Sequence, residues 1–143
     1  MNENTKKIAI GFIQRHEGLE LKPYLCSAGK TTIGFGRNLE DIGISKDEAK
    51  CLLENDLNRT VKELEDSVTN FMMLNDVRQA VLIDMCYNLG ISRFKGFKKM
   101  IDSVEAENYK EAAKHMLGSR WATQVGERAT ELSEAMNNGF VVE

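Results

Sequence analysis

A glutamate, a cysteine and a threonine fall at Glu17, Cys26 and Thr32, inside a stretch from Glu17 to Gly36 that reads EGLELKPYLCSAGKTTIGFG. A carboxyl group can exchange a proton with a reacting atom, a thiolate can act as base or nucleophile, and a hydroxyl can orient water or another side chain. Held at one rigid corner, the three could perform acid, base or nucleophilic chemistry. Each also has an ordinary reading. A Glu at a helix end is usually a solvated charge, a half-buried strand Cys can be chemically idle, and a β-branched Thr suits a strand for packing alone. Residue types and spacing leave both readings open.

The elements that must position these groups can be read from periodicity. Ile8, Phe12 and Ile13 recur at helical spacing, which predicts a first helix over 3–16 ending near His16, a residue with no role beyond that of a polar helix end. Pro23 stops helical propagation after Leu21. A hairpin follows, with Tyr24 and Leu25 on one arm and Thr31, Thr32, Ile33 and Phe35 on the other. Ser27, Ala28, Gly29 and Lys30 form its turn, with Gly29 at the positive φ. Arg37-Asn38-Leu39 can add a third short strand before the loop at Gly43.

Ser45-Lys46-Asp47-Glu48 has the form of a capping box. It opens a long amphipathic helix to about Asp66 through Ala49, Leu52, Leu53, Leu57, Val61 and Leu64, a pattern that suits a connector and a core helix equally. A helix capped by Asn75 or Asp76 and closed by Gly90 is apolar on nearly all sides, which predicts a buried centre. Met72, Met73, Met85 and Met100 are assigned to the same core. Helices over 98–104, 108–117 (Asn108 the cap, His115 on the surface) and about 123–138 complete the chain, with Gly139 the last stop signal.

Glu17, Cys26 and Thr32, followed by Ile33-Gly34-Phe35-Gly36, resemble the active-site signature of the phage-type lysozymes, a glycoside hydrolase family with Glu, then Asp or less often Cys, then Thr. The resemblance continues through Ile44 to Ala49, Asp76 to Gly90, Phe94 to Phe97, Ser119-Arg120-Trp121 and Gly126-Glu127-Arg128 with Glu131, nearly the whole chain. It implies an α+β, mainly helical, lysozyme-like fold. One domain over 1–143 is expected, with a small β lobe over about 17–44, an interlobe helix over 45–66, a helical lobe from 1–16 and 67–143, and a cleft between the lobes.

The activity the resemblance implies is that of an endolysin, a muramidase cutting β-1,4 links between N-acetylmuramic acid and N-acetylglucosamine in peptidoglycan, by inversion. Such cleavage needs a protonated acid at the leaving oxygen and a second group across the sugar ring. Glu17 takes the acid role; partial burial would raise its pKa from the ordinary value of about 4.3. Cys26 stands where most relatives have the Asp that steers or deprotonates the attacking water. A free thiol titrates near roughly 8.5, so only a small fraction is thiolate at neutral pH unless a cation or helix terminus assists. Base, nucleophile and bystander all remain open for it. Thr32 would hold the water or the Cys26 side chain. Arg128 is implied to pair with the acid, orienting it while lowering its pKa, and Glu131 to hold Arg128 from the same helical face. Tyr87, Asn88, Arg120 and Gln124 are the expected glycan contacts, with core packing an equal reading for Tyr87. Trp121 is assigned to the core. Arg37, where many relatives have His, is read as a packing or tuning element.

A chain of 143 residues with 42% apolar and 29% charged residues is large enough to bury a core without staples. Its three Cys lie at no metal-ligand spacing and suggest no disulfide framework; Cys51 and Cys86 are expected to be buried structural thiols. No cofactor or metal is implied. The net charge of −3 argues against nucleic-acid binding and against the nonspecific wall attraction of basic lysozymes. No apolar run suits a signal peptide or a membrane span. The expected setting is therefore a monomer in the host cytoplasm before lysis, whose partners are glycan strands and, by analogy, a holin-type pore. A non-catalytic lysozyme-like wall-binding or scaffold protein is the alternative, motivated by Cys26 in place of Asp and by the acidic charge.

Overall fold

A computed structural model describes residues 1–141 of the chain. Its contacts divide into two compact units, Met1–Cys51 and Leu52–Glu143.

The first unit opens with α1 (Glu3–Glu17), capped by Asn2, whose side chain accepts from Thr5 N at 2.8 Å. This helix falls in the same unit as the sheet, and it buries none of its side chains. An antiparallel sheet follows in the order β1 (Glu20–Leu25), β2 (Thr31–Gly34), β3 (Arg37–Asn38). Pro23 lies inside β1, where the ladder is irregular between Glu20 and Tyr24. A proline has no N–H to donate, and an edge strand with a bulge is where a sheet tolerates one. The hairpin closes as its sequence predicts: Cys26 N donates to Lys30 O at 2.9 Å and Gly29 N to Cys26 O at 2.8 Å, with Gly29 at φ 76°.

The second hairpin is tied to the start of α2 (Lys46–Ser67). The Ser45–Glu48 capping box forms in both directions, at 2.9 and 3.1 Å. The Arg37 guanidinium grips the Glu48 carboxylate through both oxygens and also donates to Gly43 O at 2.9 Å. Arg37, chiefly, and then the N–H and hydroxyl of Ser45 hold the Glu48 carboxyl down at about 2. A carboxyl lowered in the fold lends its stability above the unfolded value of about 4.3 and loses it as pH falls toward that of the fold.

The apolar core lies in the second unit, around Leu64, Phe71, Leu82, Met85, Phe94 and Met136. Each large side chain so enclosed contributes about 1.5–3 kcal/mol. α3 (Asp76–Leu89) is the centre, burying Val81, Leu82, Met85, Cys86 and Leu89, and Asn75 caps it by accepting from Arg78 N at 2.9 Å. Then come α4 (Ile91–Lys95), α5 (Lys98–Glu105), α6 (Tyr109–Leu117), α7 (Arg120–Val125) and α8 (Glu127–Asn138).

Several expectations need correction. The last helix is two: the chain turns at Gly126, φ 60°, where the apolar period continues across the break and hides it. α4 was not anticipated, being too short to show a period. Met72 and Met73 stand exposed on a 3-10 turn at Phe71–Met73, which turns Phe71 inward instead. Cys51 is exposed, as are Leu52 and Leu53, because α2 buries only Thr60 and Leu64 toward its far end.

Arg78 closes this unit. Its guanidinium lies 3.7 Å from the Tyr109 ring centroid and donates to Met136 O at 2.7 Å and Asn137 O at 2.9 Å, satisfying carbonyls at the end of α8. Arg78→Gln should lower the stability of the second unit by about 2 kcal/mol, read as a shift in the denaturant midpoint.

Candidate active site

Glu17 is the last residue of α1 and its side chain is exposed. The helix stops at Gly18, whose N–H returns to Gln14 O at 3.0 Å. The Glu17 carboxyl lies against the turn joining β2 and β3: a Cβ on Gly36 would stand 2.6 Å from Glu17 Oε2 and 2.7 Å from its Cδ. Gly36 also holds φ 78°, so two separate demands require glycine there. The partial burial expected of Glu17 is absent, because the glycine turn beneath it covers one side only.

Thr32 is the one residue of the first unit, among those described, that is buried. Its hydroxyl donates to Lys30 O at 2.8 Å across the base of the hairpin turn. Cys26 is half-buried at the start of that turn. The N–H of Lys30 foremost, and then that of Ala28, hold its thiol below the ordinary value; partial burial pushes the other way, and the Thr32 hydroxyl and the residue's own N–H lower it further. A hydroxyl has one proton, so Thr32 can serve the carbonyl or the sulfur. The carbonyl holds it here, and an ionised sulfur would be the stronger acceptor.

Neither neighbouring cation does this work. The Lys30 ammonium pairs with Asp41 at 3.4 Å, and the Arg37 guanidinium is engaged by Glu48. The source is the turn itself. A side chain that accepts from the N–H two residues on is the arrangement of an Asx turn, here with sulfur in the place of a carboxylate. The Ser27-Ala28-Gly29-Lys30 turn could have signalled this from sequence.

In the second unit, Arg128 of α8 forms a hydrogen-bonded ion pair with Asp84 of α3. Glu131, expected to hold it, is exposed and has no polar partner among the described residues; Asp84 takes that part. A carboxylate in the middle of the apolar run 80–86 is the signal in the sequence. Asn88 Oδ1 accepts from Trp121 Nε1 at 2.8 Å, with Trp121 buried as expected. That bond sets the end of α3 beside the start of α7, where Arg120 and, one turn on, Gln124 are exposed. Tyr87 is exposed and opens on a different concavity of about 480 Å³, beside Asp56, Arg59, Thr60, Glu63 and Cys86. Burial first, and Glu63 second, push the Cys86 thiol up to about 11. No group of His, Cys, Asp and Glu among the described residues has a metal-binding arrangement, and no described helix is long and apolar enough to cross a membrane.

Residues 14–137 match the family described as phage lysozyme. The chain belongs to the phage lysozyme family. The match spans both units and includes the whole Glu17, Cys26 and Thr32 set. The chain is similar to "Probable T4-type lysozyme 1" of Dictyostelium discoideum, at 27% identity over 86% of this chain and 89% of the relative. An endolysin of Acyrthosiphon pisum secondary endosymbiont phage 1 is 29% identical over 57% of each chain. The pre-baseplate central spike protein of Enterobacteria phage T4 is 25% identical over 96% of this chain, which corresponds to 29% of that longer protein.

Alkylation of Cys26 by iodoacetamide, followed peptide by peptide in mass spectra across a pH series, should have its midpoint below the free-thiol value of roughly 8.5. Thr32→Val should raise that midpoint by removing a donor to the sulfur.

Proposed function

We propose that the chain is a muramidase hydrolysing the β-1,4 links between N-acetylmuramic acid and N-acetylglucosamine in bacterial peptidoglycan. The observation that carries this reading is the placement of Glu17 and Cys26 at opposite ends of β2. Glu17 lies on the turn after the strand, Cys26 begins the turn before it, and Thr32 stands between them. A strand of this length rises on the order of 10 Å, at about 3.3 Å per residue. Inverting glycosidases hold their two groups about 6.5–9.5 Å apart, leaving room for water, whereas retaining ones need about 5–5.5 Å. Inversion is the outcome this reading expects.

In this reading Glu17 protonates the leaving oxygen, and a glycan seated over the exposed carboxyl supplies the desolvation that the fold leaves out. Cys26, as thiolate, takes a proton from the attacking water. The ring of turn amides suits a carboxylate or a thiolate equally, which accounts for Cys where an Asp would serve. Thr32 positions the water or the sulfur. Asn88, Arg120 and Gln124 are the glycan contacts this reading expects. The physiological role is host lysis, with access to the wall through a holin-type pore.

Release of new reducing ends from purified peptidoglycan is the direct test. Glu17→Gln should reduce it by at least about a hundredfold with the fold intact, the scale on which general acids contribute. Full activity in that variant would refute the assignment. Cys26→Asp should retain much more activity than Cys26→Ser; equal activity of both with the parent would make the thiol a bystander. A non-catalytic wall binder would bind muropeptides and release no reducing ends from any of the four proteins.

A further inference from the structure

Glu40 follows β3 and is exposed, yet its carboxylate is not left to solvent. One oxygen, Oε1, accepts from Thr31 N at 2.8 Å and from Thr31 Oγ1 at 2.9 Å. The Thr31 N–H foremost, and then its hydroxyl, hold this carboxyl below the ordinary value, against a smaller opposing effect of burial. The loop that presents Glu40 is itself fixed. Leu39 N donates to Thr31 O at 2.8 Å, Asp41 N to Asn38 Oδ1 at 3.0 Å, and Gly43 N to Leu39 O at 3.0 Å. An exposed bond contributes little stability once the ordering of a long side chain is set against it, so stability alone is a weak reason for this arrangement.

The bond holds the peptide group between Lys30 and Thr31. Glu40 takes its N–H. Its carbonyl, Lys30 O, accepts from Cys26 N at 2.9 Å and from Thr32 Oγ1 at 2.8 Å. A peptide group is planar, so fixing the direction of one polar end fixes the other. Lys30 O closes the turn on Cys26, and the closed turn sets the Lys30 N–H against the sulfur. Glu40, Thr31, Lys30 and Cys26 thus form a continuous series of contacts within the first unit.

We propose that Glu40 is a positioning residue for Cys26, locking the Lys30–Thr31 peptide and, through it, the turn amides that face the thiol. Its charge and its geometry act on the sulfur in opposite directions. A bare negative charge nearby disfavours thiolate, whereas a brace that keeps N–H donors aimed at the sulfur favours it. The other charged groups about the turn are already matched: Lys30 pairs with Asp41 at 3.4 Å, and Arg37 with Glu48 at 3.0 Å. The bearing of Glu40 on turnover rests on the hydrolase reading; its bearing on the thiol does not.

The experiment compares the full chain with its Glu40→Ala, Glu40→Gln, Thr31→Val and Glu48→Ala variants. Two readouts are taken: the pH midpoint of Cys26 alkylation by iodoacetamide, and steady-state release of reducing ends from peptidoglycan. Gln keeps one carbonyl oxygen for both Thr31 donors but no charge. Glu48→Ala breaks the Arg37 and Ser45 junction and weakens the first unit away from the thiol turn. Glu40→Ala should raise the midpoint by about half a pH unit, or about threefold less thiolate below it, as a charge-assisted bond is lost. Its kcat should fall by a similar factor with KM unchanged. Glu40→Gln should titrate at or below the parent's midpoint, and Glu48→Ala should keep that midpoint despite a lower melting temperature. Thr31→Val, β-branched like the residue it replaces, removes one of the two donors and should give a smaller rise, which tests the brace even if Glu40→Ala does not fold. Lowered midpoints in both Glu40 variants would reveal a charge effect alone and overturn the proposal. An unchanged midpoint in Glu40→Ala, an equal rise in Glu48→Ala, or an unchanged kcat beside a raised midpoint would overturn it too. The expected midpoints with no release of reducing ends by the parent would support the brace and refute the hydrolase. Cleavage by the parent with no shift in Glu40→Ala would do the reverse.

Discussion

A missing side chain fixes the position of the carboxyl to which the proposed chemistry assigns the acid role. At Gly36 the backbone holds a left-handed conformation, and the space that a Cβ would occupy is filled by the Glu17 carboxyl. Any other residue would suffer backbone strain and displace that carboxyl together. The end of α1 and the turn between β2 and β3 are thereby brought together through a contact too small to count as packing. The sheet carries the other two groups of the proposed site, with Cys26 in the turn before β2 and Thr32 within the strand.

The two units are held by different forces. The second has a conventional core of large apolar side chains. The first buries only Thr32 among its described residues and relies on polar ties: the hairpin turn, the Glu40 carboxylate accepting from Thr31 N and Oγ1 at 2.8 and 2.9 Å, and the junction of Arg37, Glu48 and Ser45. Such ties are directional. They specify angles and turn conformations more sharply than apolar contact does.

Where a local pattern determines the outcome, the sequence was legible. The Ser45–Glu48 box, the Asn75 and Asn108 caps, the Gly29 turn and the burial of α3 all follow from interactions within a few residues. What could not be read depended on a choice among equivalent partners or on which side of an element finds cover. Glu131 and Asp84 were both available to Arg128, and only the packing of α8 on α3 selects Asp84. The low titration of Cys26 was sought in neighbouring cations, whereas backbone amides, present in every turn and visible in none by composition, provide it. Leu52 and Leu53 have the spacing of core residues but find no cover on α2. Periodicity shows that a face is apolar; it cannot show that anything lies against it.

The 3-10 turn at Phe71–Met73 sorts the internal methionines by their exposure to chemical damage. Met72 and Met73 project into solvent at 63% and 86% exposure, while Met85, Met100, Met116 and Met136 are enclosed at 1% or less. Peroxide reaches thioethers in order of access, and a sulfoxide is tolerated at the surface but disrupts an apolar interior. The outer pair can therefore be consumed while the interior keeps its packing, so oxidative ageing should begin at this turn and leave the helices around it standing.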